Sequence, residues 1–216
     1  MKVLVFSDTH LTNNFEEKKY IFLERLIKNA DQVVINGDFW DGHLISLEQF
    51  LLSPWSKLFP LLKSKNTVYI YGNHDRETFS SNKIALFSTL QKKQYILKSG
   101  LSTFIIEHGN RLLPSFDEQL PFPEWFFHGS TIVYTAIEHF LTKTFRISPR
   151  FWGKWLNNKL KQTISESKNY YVFGHTHFAE FDLKHKFINT GFIQHGLAQY
   201  LMIEDGKPYP QQKIYE

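Results

Sequence analysis

Most of the short apolar runs in this chain stop at a knot of carboxylate, amide and imidazole side chains. Five such blocks occur in order: Asp8-Thr9-His10, Gly37-Asp38-Phe39-Trp40-Asp41, Gly72-Asn73-His74-Asp75, His108-Gly109 and Gly174-His175-Thr176-His177. A short apolar run closed by a turn residue reads as a buried strand. Strands whose ends meet at one sheet edge bring residues distant in sequence to a single point. Hard ligands gathered there suit a two-metal hydrolytic centre acting on a phosphate ester.

The spacing of the runs sets the fold class. Residues 3–6, 32–36 and 67–71 are expected strands, and residues 15–30 carry Phe22, Leu23, Leu26 and Ile27 at helical spacing. Residues 47–62 read as a helix broken near Pro54 and stopped near Pro60. Strand, helix, strand, helix, strand opens an α/β layered fold. Strands return at 103–107, 170–173, 180–183, 187–189 and 198–203, the last group separated by turns and expected to be antiparallel. The predicted architecture is two packed mixed sheets flanked by helices, in one domain spanning residues 1–216.

One stretch departs from that pattern. Between His108 and Gly174 the chain reads mostly as helix, and an inserted helical cap is expected over about residues 114–166. Ile132, Val133, Ala136, Ile137, Phe140 and Leu141 make one apolar stripe there, and Phe151, Trp152, Trp155, Leu156 and Leu160 make another. Six cations follow His139 before any acid does: Lys143, Arg146, Arg150, Lys154, Lys159 and Lys161. Cations beside bulky apolar groups suit an anionic amphiphile, with Arg146, Arg150, Lys154 and Trp152 as candidate contacts, and a peripheral membrane contact through the cap. The same stripes also suit a helical pair that packs its aromatics into the core.

Composition narrows the chemistry further. The chain has no cysteine, so thiolate sites are excluded and any metal must be held by oxygen and imidazole. A net charge of +4 does not argue for nucleic acid. The opening apolar run is too short for a signal peptide and no stretch is long enough to span a membrane, which leads to an expected cytoplasmic location.

Asp8 and His10 lie two apart, so on extended chain both leave the same face. Asp38 directly follows a strand and a glycine, and His175 and His177 again lie two apart. Together the blocks spell D-x-H, G-D-x-x-D, G-N-H-D, a histidine before glycine, and G-H-x-H. That pattern resembles the calcineurin-like binuclear metallophosphoesterase superfamily from Asp8 to His177, and it implies an α-β-β-α layered fold. It also implies one divalent ion held by Asp8, His10, Asp38 and His177, and a second held by Asp38, Asn73, His108 and His175. His74 is then the catalytic imidazole facing the substrate. Two such ions, two carboxylates and a bridging hydroxide leave roughly one positive charge to draw in a phosphate oxygen. Asp41 and Asp75 are candidate orienting carboxylates. His195, in a glycine-bounded loop after the last block, is a candidate for lining the site.

The helical insertion and the later runs Ile188-Asn189-Thr190-Gly191 and Glu204-Asp205-Gly206-Lys207 resemble UDP-2,3-diacylglucosamine diphosphatases. Those enzymes cleave a nucleotide-linked glycolipid, typically with manganese; iron, zinc and cobalt suit the same ligands. They commonly carry arginine where His74 stands. A generic phosphodiesterase keeps histidine there, a nuclease is expected to show a more extended basic surface, and a protein phosphatase continues Gly37-Asp38 differently. A non-catalytic scaffold of the same fold usually lacks some of the ligands, and none is missing here.

Overall fold

The computed structural model describes residues 1–119, 124–145, 153–164 and 168–215. Its first sheet contains β1 (Lys2–Phe6), β2 (Gln32–Asn36), β3 (Val68–Ile70) and β4 (Leu90–Lys92), all parallel. Between them run α1 (Glu17–Lys28), α2 (Leu47–Leu52) and α3 (Phe59–Ser64). The second sheet is built from β5 (Tyr95–Ser99), β6 (Ser102–Ile106), β7 (Tyr170–Phe173), β8 (Glu180–Asp182) and β9 (Phe187–Asn189), in the order β5-β6-β7-β9-β8. The described helices between β6 and β7 are α4 (Phe116–Gln119), α5 (Glu124–Phe145) and α6 (Gly153–Thr163). The chain then returns to the first sheet through β10 (Ile193–Gln194), β11 (Leu197–Glu204) and β12 (Lys207–Ile214), with β11 antiparallel to β1.

Alternation along each strand sorts the core into layers. Val3 and Val5 of β1, Val34 of β2, and Val68 and Ile70 of β3 meet Phe104 and Ile106 of β6, Val172 of β7 and Ile188 of β9 between the sheets. The opposite faces of β1 and β2, through Leu4, Phe6, Val33 and Ile35, pack on Leu23 and Ile27 of α1, Phe50 of α2 and Leu62 of α3. Outside the second sheet, Phe173 and Phe187 meet Leu160 of α6. Strands covered on both faces have no polar side, which is why they read as unbroken apolar runs.

Strands β4, β5 and β10 have no counterpart among the expected strands, and three further features differ from the expectation. Pro60 does not stop a helix; it sits in the first turn of α3, where a missing N–H costs nothing. β12 is not expected because Pro208 and Pro210 interrupt it, yet it pairs along all of β11 as an outer strand, where proline is tolerated. The apolar stripe of α5 is not core: Ile132, Val133, Ala136, Ile137 and Phe140 face solvent, with Phe140 64% exposed. Its covered side is largely polar, carrying Glu138 and Thr142 buried and Tyr134 and Thr135 half-buried. On α6, Trp155 is exposed and Leu160 buried.

Lys161 fastens α6 to the sheet, its Nζ donating to Glu180 Oε1 at 2.5 Å and Asp182 Oδ2 at 2.9 Å on β8. The bond from Lys161, joined by His185, holds the Asp182 carboxyl below its usual range. A carboxylate depressed in this way adds stability that is present above its ordinary pKa and is lost as pH falls through the lowered value. Urea midpoints measured from about pH 5 to pH 2 should therefore fall more steeply for the native chain than for Lys161→Met. Parallel acid limbs would show that the contact contributes nothing.

Candidate metal centre

β1, β2 and β3 in the first sheet and β6 and β7 in the second all release their chains at the same end, and the five blocks meet there. The turns are tight: Asp8, His10, Asp38, His175 and His177 all have positive φ, between 42° and 67°. Left-handed backbone on such residues costs about 1–3 kcal/mol each and persists only where the surroundings fix it. Gly37, at φ 82°, lies against the His108 ring, and a Cβ at Gly72 would overlap Asp38 Oδ1. Both glycines let the loops that carry the blocks touch.

Much of this scaffold hangs on Asp75. Its Oδ1 accepts from the backbone N–H of Asp38 (3.0 Å) and Gly72 (2.7 Å), and its Oδ2 from Phe39 N–H (2.7 Å) and the Tyr69 hydroxyl (2.5 Å). Burial and the Asp38 charge still push the Asp75 carboxyl up to about 6. On the other side, buried Lys19 of α1 donates to the Thr9 carbonyl at 2.6 Å and fixes the loop between Asp8 and His10.

Each imidazole spends one nitrogen outward. His10 Nδ1 donates to Asp41 Oδ2 (3.3 Å), His177 Nδ1 to Glu138 Oε1 (2.8 Å), His108 Nδ1 to the Asn36 carbonyl (2.8 Å) and His175 Nε2 to the Leu113 carbonyl (2.9 Å). The partners are acceptors only, so these nitrogens carry the protons. The inner nitrogens then point at one another and at oxygens. His10 Nε2 lies 3.2 Å from His177 Nε2, and His177 Nε2 lies 3.0 Å from Asp8 Oδ1. Asp8 Oδ1 is fully buried with no hydrogen-bond donor. Beside it, His108 Nε2 sits 3.2 Å from Asp38 Oδ2 and 3.3 Å from Asn73 Oδ1, which is 3.0 Å from His175 Nδ1.

Lone pairs aimed at a common point repel unless a positive charge lies among them. The acidities say the same. Burial alone would raise the Asp8 carboxyl, but the charges of His177 and His108 bring it down to about 2. Burial works against Asp38 in the same way, and His108 and His74 hold its carboxyl well below the usual range. His108, whose burial favours the neutral ring, is pushed up to about 10 by Asp38 and Asp8. His108 thus retains its proton far above the usual imidazole range, while burial and the His74 charge lower His10, and a divalent cation can take the place of the His108 proton.

Asp41 has a different part. It accepts from His10 and, through Oδ1 at 3.1 Å, from His74 Nδ1. Burial would raise its carboxyl, but the His74 charge and these bonds hold it below the usual range. His74 also donates its backbone N–H to Asp38 Oδ1 at 2.9 Å, and its ring is more open to solvent than those of His10, His108 or His177.

A model of the calcineurin-like phosphoesterase family matches residues 1–181. The chain belongs to that family. Calcineurin-like phosphoesterases are metal-dependent hydrolases, and the donor set described above fits divalent cations. No curated protein matches the sequence. Among solved structures, the chain is similar to Yfce, a phosphoesterase from E. coli, at 16% identity and a TM-score of 0.51 over 100% of both chains. It is also similar to a single mutant of Vps29 from Entamoeba histolytica (16% identity, TM-score 0.47, 100% of both chains) and to the Pseudomonas putida nuclease MPE (15%, 0.42, covering 97% of this chain and 87% of that one). The likeness to Yfce shows a shared fold.

The remaining candidates lie apart from the centre. His195, also at positive φ, has Nε2 3.8 Å from Glu138 Oε2 and Nδ1 3.1 Å from His139 Nδ1, so it lines the flank beyond His177. Lys154 is exposed on the first turn of α6. Arg146, Arg150 and Trp152 fall outside the described residues. Two residues that bear on the centre escape the sequence reading. Lys19 occupies the apolar face of α1 with Leu23 and Leu26, and a charge in that register is a signal. Glu138 is the sole acid between Trp125 and Lys161.

Replacing Asp75 with Ala leaves three backbone N–H groups and the Tyr69 hydroxyl without their acceptor. Denaturant unfolding should register a loss of about 3–5 kcal/mol. A loss under about 1 kcal/mol would mean the loops hold without it.

Proposed function

We propose that this calcineurin-like phosphoesterase is a two-ion hydrolase of phosphodiester or pyrophosphate bonds, acting on a substrate with an apolar group such as a nucleotide-linked glycolipid of the UDP-2,3-diacylglucosamine kind. The observation that carries the two-ion reading is the set of four imidazoles with donating outer nitrogens and inner nitrogens aimed at Asp8, Asp38 and Asn73. Asp8, His10, Asp38 and His177 would hold one ion, and Asp38, Asn73, His108 and His175 the other. Manganese is the ion proposed, among hard cations that such ligands accept. When bound, ions of this kind polarise the phosphoryl oxygens and acidify water at the phosphorus.

The chain's own part is positioning and proton delivery. Asp41 grips His10 and His74 together, with the two rings 4.5 Å apart, so the imidazole that meets substrate is set by the same carboxylate that orients a ligand. Bonded through Nδ1 to Asp41, His74 can stabilise charge on a phosphoryl oxygen or protonate the leaving oxygen.

The cap supports the apolar part of the reading. Trp125, Phe126, Ile132, Val133, Ile137 and Phe140 form an exposed apolar side of α5, and Lys143, Lys154 and Lys159 are exposed nearby in sequence. Apolar residues flanked by cations suit the anionic surface of a membrane on which an acylated substrate lies. No helix among the described residues is long and apolar enough to cross a membrane.

Two measurements test these assignments. With manganese present, Asp38→Ala should lose turnover with the fold retained by circular dichroism. His74→Ala should lower kcat by about 10²–10⁴-fold while keeping its metal content. Full activity in Asp38→Ala would remove the two-ion reading. Hydrolysis of UDP-2,3-diacylglucosamine beside an aryl phosphodiester tests the substrate: preference for the lipid upholds it, and cleavage of the aryl ester alone overturns it.

A further inference from the structure

Three of the four outward imidazole bonds end on groups at the strand ends: Asp41 after β2, the Asn36 carbonyl at the end of β2 and the Leu113 carbonyl after β6. The fourth ends on Glu138, in the middle of α5 in the helical insertion. We infer that Glu138 is a positioning residue for the metal centre, and that through it the insertion completes the ion site built on Asp8, His10, Asp38 and His177.

The geometry is that of a carboxylate–histidine–metal relay. Glu138 Oε1 accepts from His177 Nδ1 at 2.8 Å, and the other ring nitrogen lies 3.0 Å from Asp8 Oδ1. A carboxylate on one nitrogen fixes the tautomer, holds the ring plane and raises the basicity of the other nitrogen, which is the one that ligates. Glu138 is itself fixed. Tyr134, one turn earlier, donates its hydroxyl to Oε1 at 3.2 Å, and His195 Nε2 stands 3.8 Å from Oε2.

Location separates this role from a mere tie between helix and body. Glu138 is 2% exposed, and removing a carboxylate from water costs several kcal/mol unless charged or donor groups compensate. A tie could have used a serine or a backbone group. Here the sole acid between Trp125 and Lys161 is placed on the covered side of an α5 whose apolar side faces out. The polar side of the helix is therefore turned toward the metal centre, and the helix sits where His177 needs an acceptor.

A reciprocal consequence follows by linkage: an ion that binds better with α5 in place must also hold α5 in place. Occupation of the centre and docking of α5 are then one equilibrium. Whatever pulls α5 away from the body loosens an ion.

The inference rests on the two-ion reading, and the test separates the two. Manganese binding to the whole chain, without substrate, is measured by calorimetry and elemental analysis for the native protein, Glu138→Ala, Glu138→Gln and Asp38→Asn. Glu138→Ala should weaken one of the two ions by about 10–100-fold and leave the other unchanged, with Glu138→Gln, which keeps an acceptor, recovering part of the loss. Amide exchange in α5 should slow when manganese is added to the native protein but not to Glu138→Ala. Native affinity for both ions in Glu138→Ala, with both weakened in Asp38→Asn, overturns the role of Glu138 and leaves the two-ion reading standing. A native chain that takes up no manganese overturns both. Equal weakening in the Ala and Gln variants, with α5 exchange insensitive to manganese, also overturns it, since only packing has then been lost.

Discussion

Imidazole and carboxylate lone pairs converging on buried space are the constraint around which the rest of this protein is arranged. Asp8 Oδ1 lies buried without a donor, and the Nε2 atoms of His10 and His177 are 3.2 Å apart. Such a cluster is stable only around positive charge, supplied by protons or by cations. The proton held on His108 up to about pH 10 is one form of that charge. Divalent cations are the other form, and the one on which a phosphoesterase of this family depends.

Holding the cluster together strains the backbone of its own residues. Asp8, His10, Asp38, His175 and His177 have left-handed backbone, each disfavoured by about 1–3 kcal/mol. The opposing term comes from below, where Asp75 gathers four donors and Lys19 closes the turn at Thr9. Beneath these lie two sheets whose central strands are buried on both faces, a platform too densely packed to yield when the loops press on it. The sheets position the loops, and the loops carry the chemistry.

The legible parts of the sequence are those where a local signal and the tertiary demand coincide. Strands buried on both faces appear as apolar runs, so β1, β2, β3, β6, β7 and β9 can be read within a residue or two, and the ligand blocks announce themselves at the strand ends. β12 is illegible because its order comes from pairing with β11, and Tyr209 and Ile214 are the only strand formers in Lys-Pro-Tyr-Pro-Gln-Gln-Lys-Ile. Pro60 misleads because proline both ends and begins helices, and only the 3-10 turn before it decides which. In α5 the periodicity gives a helix with two sides but not their direction, since apolar spacing says nothing of which side faces the body. Lys19 and Glu138 escape notice for a related reason. A buried charge is recognised by its partner, and Thr9 and His177 become partners only once the chain is folded.

The inverted α5 joins packing to chemistry. A helix that buries Glu138 and Thr142 while exposing Ile132, Val133, Ile137 and Phe140 gains little from the hydrophobic effect when it docks on its own protein. Its docking must therefore lean on polar contacts, and among the described residues the bond from His177 to Glu138 joins it to the centre. Contacts of that kind are strong where charge is present and water is absent, and they weaken when either condition fails. The outward apolar side is then left to find its own cover. Under the proposed function, the apolar portion of the substrate, or the surface it lies on, would cover that side while its phosphate meets the ions. Recognition of the apolar portion and retention of the ions would then bear on the two sides of a single helix.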